Sequence, residues 1–270
     1  MAGRTRQVKN SKVAQGLGRA GMACFGLVHL IVGYLAVRIA VGSGGQEADQ
    51  RGAVAEIGST APGKVVLWVL VVGLFAYGLW QILMAAKGYH WIGKDRDRTL
   101  KRVGSAARAV VVLGLAGYAA SLAAGGGGGG SGDAQQQELT AKLLALPAGK
   151  IVVGLVALVV AGVAIASIVK GVRRTFTEDL DMHDLPKGTQ RWVTRLGVAG
   201  YVAKGVVFGI IAVLIGFAAF TADAGQAGGL DAALRTLAAQ PFGVFALVAV
   251  AAGFAAFGVY CFGAARAHKH

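Results

Sequence analysis

The chain has 270 residues, of which 55% are hydrophobic and 15% charged, with 43 glycines and a formal net charge of +14. A soluble domain carries about a quarter charged residues, so a composition this apolar, at a mean hydropathy of +0.60, excludes an ordinary soluble fold. The apolar residues come in blocks of about twenty, the length that crosses a hydrocarbon core of about 30 Å, and the connections are too short for a second, soluble domain.

Residues 1–16 form a basic segment with Arg4, Arg6, Lys9 and Lys12, and the first predicted span, 20–42, follows. Basic residues ahead of an apolar stretch superficially fit a secretory signal. The stretch exceeds the usual signal core of about 7–15 residues and aligns with later spans, so it reads as a retained helix. An outer loop then carries a short predicted helix, Gly52 to Gly58, and Pro62 opens the second span, 64–86. Proline suits that place because its missing N–H would be unpaired in the first turn anyway. A basic connection over 89–102 leads to spans 104–124 and 150–170, with a second short helix, Gln137 to Leu146, between them. The connection 174–195 leads to spans 197–220 and 242–264, which enclose a third short helix, Leu230 to Ala239. Leu230, Ala233, Leu234 and Leu237 share one face, as do Leu139, Leu143 and Leu146. Such helices suit the outer interface, apolar face down. A re-entrant placement is the alternative, and it needs protein or water around the backbone.

The elements repeat. From Gly18, Gly104 and Gly197, the proline that opens the next span lies 44, 43 and 44 residues on, at Pro62, Pro147 and Pro241. Matching runs follow, Gly73-Leu-Phe-Ala-Tyr-Gly78 and Gly253-Phe-Ala-Ala-Phe-Gly258. The units are 17–88, 103–173 and 196–266. The middle one diverges, with Val159 and Ala164 at those two glycine positions. An even number of spans gives every unit the same orientation, so these are parallel repeats about an axis along the membrane normal. The predicted fold is therefore an all-α membrane protein, a pseudo-threefold bundle of six spans. Small residues should line the helix contacts: Gly205 with Gly209, Gly26 with Gly33, and Gly209 with Gly216.

Charge sets the expected orientation. One side gathers the N-terminal cations with Arg19, then Lys87, Lys94, Arg96, Arg98, Lys101 and Arg102, then Lys170, Arg173, Arg174, Lys187, Arg191 and Arg195, and finally Arg266 and Lys269. The other side holds only Arg51, Lys64, Lys142, Lys150 and Arg235. A bias of about four to one places the first side, with both termini, in the cytoplasm. A multi-pass protein of the plasma (inner) membrane is expected. The basic residues then face anionic lipid headgroups, and no nucleic-acid partner is implied. Lys94, Arg96, Arg98, Lys101, Arg102, Arg173 and Arg174 are the candidate headgroup contacts. Cys24 and Cys261 fall toward the reducing side and read as small packing residues.

Three stretches carry a family resemblance: Gly26-Leu-Val-His-Leu-Ile-Val-Gly33, Gly52-Ala53 leading to Pro62-Gly63, and Leu67-Trp68 through Tyr77-Gly78. Phe176 with Asp179-Leu180-Asp181, then Gly200-Tyr201 and Gly205, extend it. Over about 17–266 the chain resembles the bacterial membrane family catalogued as domain of unknown function 1206, which has a triplicated two-helix unit. The middle unit departs most, with Ala107 in place of Gly21 and Gly200, and Val112 in place of Gly26 and Gly205. The resemblance implies fold and membrane location and supplies no activity.

His29 is the candidate intramembrane polar site together with Lys204. Its repeat equivalents are Leu115 and Phe208. Ionisable residues inside a membrane mark proton or substrate pathways; a neutral imidazole bonded within an aromatic-sized slot is the other reading. No second mid-membrane histidine supports haem. Lys204 lies two turns into its span, deep enough for an internal anion or carboxylate partner, whereas Arg38 reads as a side chain snorkelling to the interface. Glu178-Asp-Leu-Asp-Met-His-Asp184 offers oxygen ligands and His183, but matches no cation-loop spacing, and Arg173, Arg174, Lys187 and Arg191 offer it charge partners. Gly125 to Gly130 lacks the lysine of a phosphate loop and reads as a linker. Tyr89 and Trp91 read as interfacial anchors. No nucleophile–base pair, HExxH or CxxC occurs, so no enzyme, cofactor or metal site is expected. Three functional readings remain: a non-enzymatic protein binding lipid or a partner protein through its basic face, a transporter or channel for a small solute or ion, and, last, an enzyme acting on lipid.

Overall fold

The computed structural model describes residues 2–43, 45–59, 62–89, 93, 95–126, 131–180 and 186–267, all helical or connecting, with no strand among them. The helices are α1 (Ala2–Ala40), α2 (Gln50–Gly58), α3 (Gly63–Lys87), α4 (Asp95–Ala123), α5 (Gly132–Leu144), α6 (Gly149–Val172), α7 (Lys187–Thr221), α8 (Leu230–Ala238) and α9 (Gly243–Ala267). Six of these, α1, α3, α4, α6, α7 and α9, are long and apolar enough to cross a membrane. Their outward side chains are apolar as well: Val65, Trp68, Val69, Val72 and Phe75 on α3 are all exposed. α4 and α7 begin inside the predicted connections. Asp95 and Asp97 favour the N-terminal end of α4, and Pro186 precedes the first turn of α7.

The second span of each unit packs on the first span of the next: α3 on α4, α6 on α7, and α9 back on α1. Within the first and third units the two spans also pack together. In the middle unit they barely meet, so the ring of six is open between α4 and α6. Glycine explains where it closes. A Cβ at Gly21 would overlap that of Tyr77 on α3, and one at Gly253 would overlap Ala203 on α7. A Cβ at Gly200 would stand 2.5 Å from the Cβ of Phe257. These close approaches weld the units. The middle unit has Ala107 and Val159 at the matching positions, both exposed, and their side chains bar the same approach.

Gly26 and Gly33 do face a partner helix, at Gly258 and Ala251 of α9, and Gly205 faces Ala164 and Ile168 of α6. Gly209 and Gly216 have open space around them. The predicted pair Gly205 and Gly209 thus contributes only its first member, because the seam against α6 turns away from Gly209. Cys24 and Cys261 are free thiols, Cys24 against Gly73 and Cys261 against Gly26.

The short helices form a cap over one end of the bundle, opposite the basic end. Ala53, Val54, Ala233 and Leu234 are fully buried, so α2 and α8 turn their apolar faces onto other helices, not onto lipid as expected. α5 starts at Gly132 rather than Gln137 because the Ser131 hydroxyl accepts from the Ala134 N–H. The linker residues 127–130 lie outside the described residues.

Candidate functional site

Three polar layers stand along the bundle. The cap is held by carboxylates at the starts of its short helices. Asp49 caps its own helix, accepting from the Gly52 N–H at 2.6 Å. Asp133 of α5 accepts from Gly229 and Ala232 N–H at 2.7 and 2.8 Å, supplying α8 with the cap that Gly229 has no side chain to make. Asp231 of α8 accepts from the Ala48 N–H at 2.8 Å, ahead of α2, and Arg51 of α2 donates to Gln135 of α5. Each unit thus clasps the next, and the loop of contacts closes. Burial pushes the Asp49 carboxyl up to about 6, with Glu47, Asp133 and Asp231 adding repulsion against the Gly52 bond. Burial also raises Asp133. Glu47, Asp133 and Asp231 bring carboxylate oxygens within 4.8 Å of one another, the donor type a divalent cation takes. The Asp133 and Asp231 oxygens already accept backbone N–H groups.

The middle layer lies in the membrane. His29 is fully buried. Its Nδ1 donates to the Phe25 carbonyl at 2.9 Å, which fixes that nitrogen as the protonated one. The ring is boxed by Phe25 at 4.4 Å, Phe257 at 4.9 Å and Phe254 at 6.3 Å between centroids. Nε2 has no hydrogen-bond partner among the described residues, and a buried unpaired acceptor costs about 1–3 kcal/mol. His29→Phe is therefore expected to raise the melting temperature by a few degrees; a fall of similar size would show that Nε2 has an unseen partner.

Lys204 is half-buried, its Nζ 4.1 Å from the centroid of Phe257 and 5.7 Å from that of Phe25. No carboxylate among the described residues pairs with it. Arg108 on α4 donates to Gln81 Oε1 at 3.4 Å, and Lys170 lies 5.1 Å above the Tyr201 ring. Arg108, Lys170 and Lys204 stand within electrostatic reach of one another. Gln81 is buried, with the Tyr77 hydroxyl beside its side chain. A count of charge by connection misses Arg108, which sits inside the third apolar block; an arginine there is itself the signal.

The third layer is the basic face. Phe176, fully buried against Tyr201 and Tyr260, anchors a 3₁₀ turn over Thr175–Asp179. The turn delivers Asp179 to Lys101 at 2.8 Å and to Lys170 at 4.0 Å, and Glu178 to Lys101 at 3.4 Å. Asp179 thus meets cations of α4 and α6, because the turn folds it inward; the side chain of Lys187, one of the four flanking cations, lies outside the described residues. Asp181 to Asp184, with His183, lie outside the described residues, as do Lys94 and Trp91. Among the headgroup candidates, Lys101 is spoken for by its acids. Arg98 pairs with Asp95 at 3.2 Å, and Arg102 donates to the Gly88 carbonyl at 3.3 Å. Arg96, Arg173 and Arg174 are exposed and make no ion pair among the described residues. Tyr89 is buried, its hydroxyl 2.8 Å from Ser105 Oγ; it tethers α4 and is no interfacial anchor. Arg38, at the opposite end, pairs with Glu56 at 3.3 Å instead of snorkelling.

Arg174, Arg191 and Arg195 line a shallow cavity of about 690 Å³ with Thr177, Thr194 and Val198. Arg174 holds a left-handed φ of +57°, rare outside glycine and asparagine, and there the chain turns from α6 into the 3₁₀ turn. The two threonine hydroxyls donate to the Arg174 and Gln190 carbonyls, so the charged donors facing the cavity are the guanidiniums, with the Gln190 side chain beside them.

Six spans, three tandem copies of a two-helix unit and a ring with one open seam define a polytopic helical membrane protein built by internal triplication. The chain belongs to the Domain of Unknown Function (DUF1206) family, which matches three times, over residues 20–88, 103–174 and 199–268. It is 32% identical over 243 residues to the Uncharacterized protein YxxB of Bacillus subtilis (strain 168), an alignment that covers 90% of this chain and 87% of that one. No solved structure matches.

Proposed function

We propose that this is a non-enzymatic protein of the plasma (inner) membrane, both ends in the cytoplasm, that holds anionic lipid headgroups at its basic face. The observation that carries the reading is the cavity between the 3₁₀ turn and α7, where Arg174, Arg191 and Arg195 meet with no acidic partner among the described residues. Arginine forks match phosphate oxygens in pairs, and Val198 and Ala199 at the cavity edge suit the first methylenes of an acyl chain. Basic residues near an anionic surface contribute about 1 kcal/mol each. Arg174→Gln/Arg191→Gln/Arg195→Gln is therefore expected to lower affinity for phosphatidylglycerol on the order of a hundredfold. Native mass spectrometry after gentle extraction reads the retained lipid. Equal retention of phosphatidylglycerol by the triple variant and the wild type, or equal retention of phosphatidylcholine by the wild type, would sink the reading. A partner protein bound at the same face would show as a second polypeptide in those spectra.

A further inference from the structure

The open seam leads to a slot. A cavity of about 460 Å³ lies inside the ring, walled by Val153, Val156 and Val160 of α6 and by Val207, Phe208 and Ile211 of α7. That volume lies in the range of small-molecule sites. Lys204 lies at its deep end, and Gln50, Gln135, Gln136 and Thr140 ring its mouth under the cap. From Ile215 to Lys204 the α7 wall rises roughly 16 Å, about half of the hydrocarbon core, which is the reach of one acyl chain. No side chain of α4 is among those lining it, and this is the side on which α4 and α6 part. The slot is therefore open sideways, toward lipid.

Its floor carries an imbalance. Among the described residues Lys204 has an aromatic ring and no counter-ion, and Arg108 and Lys170, which do not line the slot, stand within electrostatic reach with like sign. Asp179, the acid that reaches Lys170, is already held by Lys101. Attraction to a ring is smaller than the penalty for burying an ammonium. A cation without a carboxylate partner among the described residues, set in apolar walls, calls for an anion, and the walls call for a chain.

We infer that the slot binds an amphiphile with one apolar chain and a carboxylate or phosphate head, its head at Lys204 and its chain along α6 and α7, admitted through the seam between α4 and α6. This site is separate from the arginine cavity at the basic face and does not depend on it.

Dodecanoate, dodecyl phosphate, dodecanol, acetate and inorganic phosphate are the probes, titrated by calorimetry onto the full chain in phosphatidylcholine nanodiscs, with empty nanodiscs subtracted. Dodecanoate or dodecyl phosphate should bind one to one, at least tenfold more tightly than dodecanol, with no binding of acetate or inorganic phosphate. Lys204→Met should remove that tenfold preference, and Lys204→Arg should keep it. Val160→Trp, which fills the slot and leaves the charge, should abolish binding of every chain-bearing probe, so the test survives if Lys204→Met does not fold. Equal binding of acetate or inorganic phosphate would assign the site to a free anion and overturn the amphiphile. Undiminished dodecanoate binding by Lys204→Met or by Val160→Trp would overturn the site. The triple arginine variant should bind dodecanoate as the wild type does, so failure of the headgroup reading and failure of this one are told apart.

Discussion

Gly21→Val is expected to be strongly destabilising, while Ala107→Val at the matching position of the middle unit is expected to be tolerated. A side chain at Gly21 would collide with Tyr77 and with the Gly73 carbonyl. Those are backbone and Cβ atoms, which have no rotamer to retreat into. Overpacking costs about 1–3 kcal/mol where neighbours adjust, and here they cannot, so the upper end applies. That corresponds to a fall of about 10 °C in melting temperature for a chain of this size. Ala107 is exposed, beside the open seam, and its valine variant should melt within about 2 °C of the wild type. Thermal unfolding in detergent, followed by size-exclusion recovery, measures both. Equal losses at the two positions would mean that α4 and α6 pack together in the membrane and that the seam is closed.

Acidification from pH 7.5 to 5 is expected to stabilise the cap. The Asp49 carboxyl, 5% exposed, is raised from an ordinary 3.8 to about 6, first by burial and then by Glu47, Asp133 and Asp231. A group raised in the folded state binds its proton more tightly there than in the unfolded chain. Its destabilising effect is thus complete above about pH 6 and is relieved as pH falls from about 6 to about 4. A rise of that size corresponds to about 3 kcal/mol, an upper figure for one carboxyl among interacting neighbours. Arg51 and Arg235 face the same cluster through Gln135 and Asp231 and keep their charge throughout. Asp49→Asn preserves an oxygen for the Gly52 N–H while removing the charge. That variant should be more stable than the wild type at pH 7.5 and show a flatter profile. A wild-type melting temperature that does not move between pH 7.5 and 5 would contradict the buried carboxylate.

Most of the architecture is legible in the sequence because lipid imposes simple rules. Span length, the spacing from Gly18, Gly104 and Gly197 to the following prolines, and the resemblance on Gly26 to Gly33 all point to three units of two helices. The divergence at Ala107 and Val159 is visible as well. Its meaning is not, because the effect of one missing glycine depends on what stands opposite, and only the packed pair shows that. The cap is hidden for a related reason. A short amphipathic helix looks the same whether its apolar face meets lipid or protein, and the cross-unit bonds of Asp133 and Asp231 join residues nearly a hundred or more positions apart. In the interior, His29 stands out as the lone mid-span imidazole, yet the structure boxes it among three phenylalanine rings. Lys204 is visible as a deep cation, while Arg108 and Gln81 are easily passed over in apolar blocks conspicuous mainly for their length.

The contact between α1 and α9 also sets an order of events. The chain is made from its N-terminus, and segments fold as they become available. α3 can dock on α1 at once and α4 on α3, but the Gly26 and Gly33 face of α1 has its partner only in the last helix. Phe254 and Phe257, two of the three rings around His29, arrive with that same helix. For the whole of synthesis the imidazole therefore stands against acyl chains, and it is sheltered only when residue 243 and those beyond have entered the bilayer. A chain stopped short of Gly243 would leave in the membrane a bundle with an unsheltered polar group on its rim, the kind of flaw by which membrane quality control can tell an unfinished protein from a finished one.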